Sequence, residues 1–169
     1  MAIYHFEAKV ISRGKGQSAI ASASYRSGEK LYSERYNKFN FYGRSVAPKT
    51  FILKPSNAPD WTLNRQKLWN EVEKVEKRKE SQLARDFILA LPDELNEEEQ
   101  EELLLNYCQE NFVNNGMVAD IAIHRDKDGN PHAHIMTTIR PFKENGQWGD
   151  KAKAEYILDD KGNKTRTAG

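Results

Sequence analysis

Two runs of alternating residue type, MVADIAIHR at 117–125 and PHAHIMTTIR at 131–140, flank the turn sequence Lys127-Asp128-Gly129-Asn130. Asp-Gly between two strand-like runs is a strong hairpin signal, because its backbone twist matches that of the paired strands. Residues two apart on a strand share a face, so His132 and His134 project together. The turn brings His124 opposite His132 or Ala133. In a favourable register, three imidazoles converge on one side of a sheet. Three nitrogens on one face leave open positions for water or substrate, and the set suits Zn, Mn, Fe, Co, Ni or Cu without fixing which. An ion held there could withdraw charge from a phosphoryl oxygen or activate water.

The rest of the chain reads as strands and helices in mixed order. AIYHFEAKVI at 2–11 is rich in β-branched and aromatic types and predicts a first strand. After the turn Arg13-Gly14-Lys15-Gly16, small residues at helical spacing predict a helix with Ser18 as N-cap, ending near Gly28 to Leu31. Residues 32–48 are basic, aromatic and irregular, a loose hairpin or extended loop; 49–53 predict a short strand. A long helix is expected over 62–80, a buried strand over 83–91 closed by Pro92, and an acidic amphipathic helix over 96–114. The apolar stripe of that last helix is Leu103, Leu104, Tyr107 and Phe112. This pattern predicts an α+β fold built on an antiparallel sheet.

Net charge is +1 over 169 residues. A neutral total argues against a simple polybasic binder. The distribution is uneven, however: residues 1–54 carry a net +7, 55–120 a net −8 and 121–169 a net +2. Such asymmetry predicts one face meant for a polyanion. Cys108 is the single cysteine, which excludes an intramolecular disulfide and a Cys-rich zinc site and fits a free thiol in a reducing compartment. No apolar run approaches the length of a membrane span, and MAIYHF lacks the pattern of a signal peptide, so a soluble cytoplasmic protein without membrane insertion is expected.

Tyr25 lies late on the small-residue helix beside Arg26. A strand beginning MAIYHF, a helix with SASYRSG, a middle SQLARDFILALP and a late IHRDKDGNPHAHIMTTIR, in that order over residues 1–145, resemble the relaxase domain of the MobA/MobL group. These are HUH endonucleases of mobilisable and conjugative plasmids. The HAH triplet alone is weakly specific; with the upstream His, the early tyrosine and ARDFILALP it is strongly so. The resemblance implies a ferredoxin- or RRM-like sheet with helices packed on one face, and histidines on the open face below the tyrosine-bearing helix. It implies nicking and joining of one DNA strand at an origin of transfer, presented as single strand or hairpin. Tyr25 takes the place of the nucleophile, giving a 5′-phosphotyrosine and a free 3′-hydroxyl, and His124, His132 and His134 take that of the metal ligands. Manganese or magnesium is the expected ion in function, with zinc, nickel or cobalt also suited to three histidines. Accessory relaxosome or conjugation proteins are the further partners implied. Residues 1–145 are read as the nicking domain and 146–169 as a polar segment leading into a region outside this chain.

Asp86 lies in the strand where the family often carries an acidic residue. It could orient a histidine, assist Tyr25 as a base, or form a structural ion pair; relatives often have glutamate here, and the shorter aspartate weakens the direct-base role. His5 could face the same site or pack elsewhere. Arg26, Lys30, Arg35, Lys38 and Arg44, interleaved with aromatic residues, match single-strand binding, in which cations track phosphates and rings stack on bases. Lys9, Arg13 and Lys15 are expected to extend that groove. The competing readings are a rolling-circle replication initiator with the same chemistry, a water-activating phosphoesterase, and a non-catalytic single-stranded nucleic-acid module. The tyrosine precedes the histidines here, which is the relaxase order.

Overall fold

The computed structural model describes residues 5–126, 129 and 131–151, and the backbone alone of 156–158 and 164–166. Five strands form an antiparallel sheet in the order β1 (Phe6–Ser12), β5 (Gln82–Ala90), β7 (His132–Thr137), β6 (Ala119–His124), β4 (Lys49–Leu53). The expected α+β class and antiparallel sheet are both present. A separate ladder pairs β2 (Leu31–Ser33) with β3 (Lys38–Asn40), giving the 32–48 stretch a short hairpin at its start. Another pairs β8 (Tyr156–Leu158) with β9 (Lys164–Arg166). Of the β6–β7 turn only Gly129 is described, at φ 97°; Lys127, Asp128 and Asn130 lie outside the described residues, as do residues 2–4 of the expected first strand.

The helices do not share one face. α1 (Ala19–Ser27) and α2 (Arg65–Val75) cover one side, where Ile20, Leu68 and Trp69 pack with Ile11, Ala84 and Met136 of the sheet. α3 (Glu97–Asn111) covers the other, where Leu104 and Cys108 pack with Leu89, Ile121, Ile123, Ala133 and Ile135. The inner strands are therefore buried on both faces, which is why DFILAL and ADIAI are almost wholly apolar. The histidines lie on the α1–α2 face, not on an open one. Each fully buried Leu or Ile in these layers contributes about 1.5–3 kcal/mol.

Local chemistry sets where the helices begin and end. Ser18 accepts from the Ala21 amide at 3.2 Å, as its N-cap position demands. Gly28 closes α1 at φ 75°, where a side chain would be strained and its Cβ would sit 3.1 Å from Pro48. α2 is shorter than the 62–80 expected. Pro59 starts a separate 3-10 turn over Asp60–Leu63, Asn64 caps the helix, and the chain leaves it after Val75. There Arg13 takes up the carbonyls of Glu73, Glu76 and Arg78. α3 opens on a reciprocal capping box between Asn96 and Glu99. Its innermost residues are Gln100, Leu104 and Cys108; Leu103, expected on the buried stripe, sits about 100° around the helix from Leu104 and is only half-buried. Beyond residue 145, Trp148 stacks on Phe142 at 4.3 Å and contacts Trp61, so packing continues past that position.

Candidate active site

The register pairs His124 directly with His132, and His134 with Ala122. All three imidazoles thus stand on one face, at the end of the sheet nearest the β6–β7 turn. Tyr25, carried on the last turn of α1, overhangs them. It is half exposed. One cavity of about 270 Å³ is lined by Tyr25, Arg44, Glu7, His124, His132 and His134, among others. The fold therefore gathers the early tyrosine and the late histidines around one space.

The rings of His124 and His134 lie 4.0 Å apart, tilted by 32°. Burial pushes the His134 pKa down to about 3, helped by its neighbours His124, Arg26, Arg44 and His132. Burial likewise lowers His124, with Arg44 and Arg26 acting in the same direction. Both are neutral near pH 7, the form that binds metal. Nε2 of His124 lies 2.7 Å from the carbonyl oxygen of Arg26. A carbonyl only accepts, so Nε2 carries the proton and Nδ1 keeps the free lone pair; this is how metal-binding histidines are commonly oriented. Among the described residues no three His, Cys, Asp or Glu side chains are drawn into chelating geometry. The donor set itself, three imidazoles at a cavity wall with two held neutral, fits a divalent transition ion better than the oxygen-seeking magnesium.

Asp86 is buried on β5 and is held by Arg26, whose Nε donates to Oδ1 at 2.9 Å and whose Nη2 donates to Oδ2. Arg26 Nη1 donates to the Ser22 carbonyl at 3.0 Å. With both carboxylate oxygens engaged, Asp86 anchors the residue beside Tyr25. The ion-pair alternative describes it, with Arg26 as the partner.

A family model described as MobA/MobL family matches residues 17–169. The chain belongs to the MobA/MobL family. This MobA/MobL chain is 39% identical to the conjugal transfer protein TraA of Agrobacterium fabrum over 99% of its length and 16% of that protein. It is 35% identical to a probable mobilization protein MobA of Bifidobacterium longum, over 96% of this chain and 29% of that protein. It spans less than a third of either relative. A solved structure described as the molecular basis of vancomycin resistance transfer in Staphylococcus aureus superposes with a TM-score of 0.83 at 35% identity, covering 94% of this chain and 81% of that one. These relatives are described as conjugal-transfer and mobilization proteins.

In this MobA/MobL chain the expected groove residues separate into three groups. Arg13 does not line a groove: it is buried, forms an ion pair with Glu73 at 2.6 Å and donates to the carbonyls at the end of α2. Arg26 and Arg44 are at the site but engaged, Arg44 through Tyr25 and Asp126. Lys9, Lys15, Lys30, Arg35 and Lys38 are exposed, with Lys30 over the Phe39 ring and Arg35 near that of Tyr36. His5 reaches the cavity rim and contacts Glu7 at 3.1 Å. Glu7 and Asp126 belong to the site although nothing in the sequence singled them out, and Tyr42, from the basic and aromatic stretch, meets the Tyr25 ring edge-on at 5.6 Å. Glu7 could have been found by extending the alternation of β1, which places it beside Ile88 and one strand from His134.

Proposed function

We propose that this MobA/MobL domain nicks and rejoins one DNA strand at an origin of transfer, presented as single strand or hairpin. The observation that carries this is the shared cavity: Tyr25 and His124, His132 and His134 line one space, although about a hundred residues separate them in sequence. The Tyr25 oxygen attacks the scissile phosphorus and the bond to the 3′-oxygen breaks. The products are a 5′-phosphotyrosine and, once the departing oxygen takes up a proton, a free 3′-hydroxyl. The phenol proton passes to water or to Glu7, the carboxylate of that cavity outside any arginine pair. A phenol with an ordinary pKa near 10 needs this help at neutral pH. His124, His132 and His134 would hold a divalent ion, manganese in preference to magnesium, which when bound would withdraw charge from the phosphate. Asp86 acts on Tyr25 through Arg26, as a positioning residue.

Because one phosphodiester is exchanged for another, the released 3′-hydroxyl can reverse the step and reseal the strand. Hydrolysis by an activated water would forfeit that reversal. We place the reaction in the cytoplasm, with accessory transfer proteins as further partners. Among the described residues no helix is long and apolar enough to cross a membrane. The test is incubation with the origin strand and manganese, followed by mass spectrometry. Wild type forms a covalent adduct on Tyr25, and Tyr25→Phe forms none while binding DNA. An SDS-resistant adduct in Tyr25→Phe defeats the assignment.

A further inference from the structure

A second cavity, of about 620 Å³, lies on the other side of Tyr25, between α1 and the β2–β3 hairpin. Its walls include Tyr36, Tyr42, Lys38, Arg26 and Asn40. Tyr25 lines both this cavity and the histidine cavity, so an occupant here adjoins the reacting phosphate. The volume suits a ligand the size of one nucleotide. No Asp or Glu side chain contributes to its lining, and two cations do. Tyr36 and Tyr42 offer partly exposed ring faces.

The most pointed observation is Asn40. It is 8% exposed, and its amide nitrogen has no hydrogen-bond partner among the described residues. Asn70, also buried, shows the contrast: its amide donates to the Tyr32 carbonyl at 2.9 Å and its oxygen accepts from the Glu34 amide at 3.0 Å. A buried donor left unpaired is costly and rare in a native fold. The terminal torsion of an asparagine is soft, so the amide can turn to meet a group seated in the cavity.

We infer that this cavity is a pocket for one unstacked nucleobase of the strand that Tyr25 cuts, with Tyr36 or Tyr42 against its face, Lys38 on its phosphate and the Asn40 amide donating to a carbonyl oxygen or ring nitrogen on its edge. This rests on the DNA-cutting reading above. It adds that affinity comes partly from a base and not from the backbone alone, as stacking platforms provide.

The test compares binding of short single-stranded homopolymers of dT, dA, dC and dG with an abasic phosphodiester strand of equal length and charge, by fluorescence anisotropy. At least one homopolymer is expected to bind wild type about tenfold more tightly than the abasic strand. Asn40→Ala and Tyr36→Leu should each shrink that ratio and leave abasic binding unchanged. Tyr36 is exposed, so its variant keeps the comparison informative if Asn40→Ala fails to fold. Equal binding of abasic and base-bearing strands, or a ratio that neither variant alters, overturns the pocket. Homopolymer binding requires no cutting, so the two readings fail separately. A Tyr25 adduct without base-dependent binding defeats the pocket alone. Base-dependent binding through Asn40 without any adduct defeats the cutting alone.

Discussion

Arg44 holds Tyr25 by its main chain and its ring at once. Nε and Nη2 donate to the Tyr25 carbonyl at 3.0 and 2.9 Å, and the guanidinium lies 4.8 Å from the centre of the Tyr25 ring. Nη1 donates to Asp126 at 3.2 Å, two residues beyond His124. The guanidinium thus ties the end of α1 to the end of β6. Lysine cannot reproduce this planar fork. Arg44→Lys should slow adduct formation about a hundredfold, the scale of an ångström-sized misplacement of a reacting group, with DNA affinity almost unchanged. Single-turnover kinetics beside equilibrium binding would show this. A matching loss in affinity would instead make Arg44 a phosphate contact.

Arg13 separates structural from DNA-facing charge. Its guanidinium bonds Glu73, and the other Glu73 oxygen accepts from the Ala19 amide at 2.9 Å, at the first turn of α1. Arg13→Met should therefore destabilise the fold by about 3–5 kcal/mol, because it strands a buried carboxylate. The urea midpoint should fall accordingly. Binding of single-stranded DNA by the folded fraction should keep the salt slope of wild type.

Lys38 and Lys15 should behave in the opposite way. Both are exposed, and Lys38 borders the larger cavity beside Tyr25. Lys38→Gln should leave the urea midpoint within about 0.5 kcal/mol. It should also reduce the slope of log affinity against log salt by about 1. Lys15→Gln should do the same only if the bound strand runs along the start of α1, so the pair maps the path of the DNA.

The three histidines should fail together. His132→Ala is expected to weaken manganese binding, read by calorimetry, and to lower nicking in parallel, with the affinity for uncut strand retained. A chelator should do to wild type what the substitution does. Unchanged manganese-dependent nicking in His132→Ala would remove that residue from the metal site.

Cys108 gives a pH dependence with a definite sign. Burial beneath α3 pushes its thiol up to about 12. The unfolded chain ionises this thiol near its ordinary value of about 8.5. The folded state binds the proton more tightly, so this contribution to stability is complete below that ordinary value and is lost as pH rises towards 12. Cys108→Ala should flatten stability over that alkaline range, as urea midpoints would show. A thiol-reactive dye should label native protein slowly even at mildly alkaline pH, and quickly in urea.

Local patterns were legible in the chain and long-range partnerships were not. Alternation in ADIAIH and HAHIMT fixes which residues share a face, and Asp-Gly narrows the partner of His124 to His132 or Ala133; the register of the folded sheet selects His132. Ser18 and Gly28 announced the ends of α1 in the same way. Arg13 could not be read so. A cation in a basic turn looks the same whether it meets a phosphate or the end of a helix sixty residues away. The Arg26–Asp86 pair has the same character, since nothing near Asp86 names its partner. The two-sided burial of the sheet did leave a trace, in strands apolar at almost every position, but that trace is easily outweighed by an expectation of one open face.

The β2–β3 ladder shares no strand pairing with the five-stranded sheet. It meets α1 through the Asn40 carbonyl, 2.9 Å from the Ser24 hydroxyl, and through Leu31 in the shared core, while Tyr36, Phe39 and Phe41 point outward. Those outward side chains can therefore be exchanged without moving the strand register that aligns the histidines. On the reading proposed above, recognition and bond-breaking fall to parts of the molecule that can diverge at different speeds. A lineage could retarget the sequence it cuts by altering a few hairpin side chains, and inherit its chemistry intact.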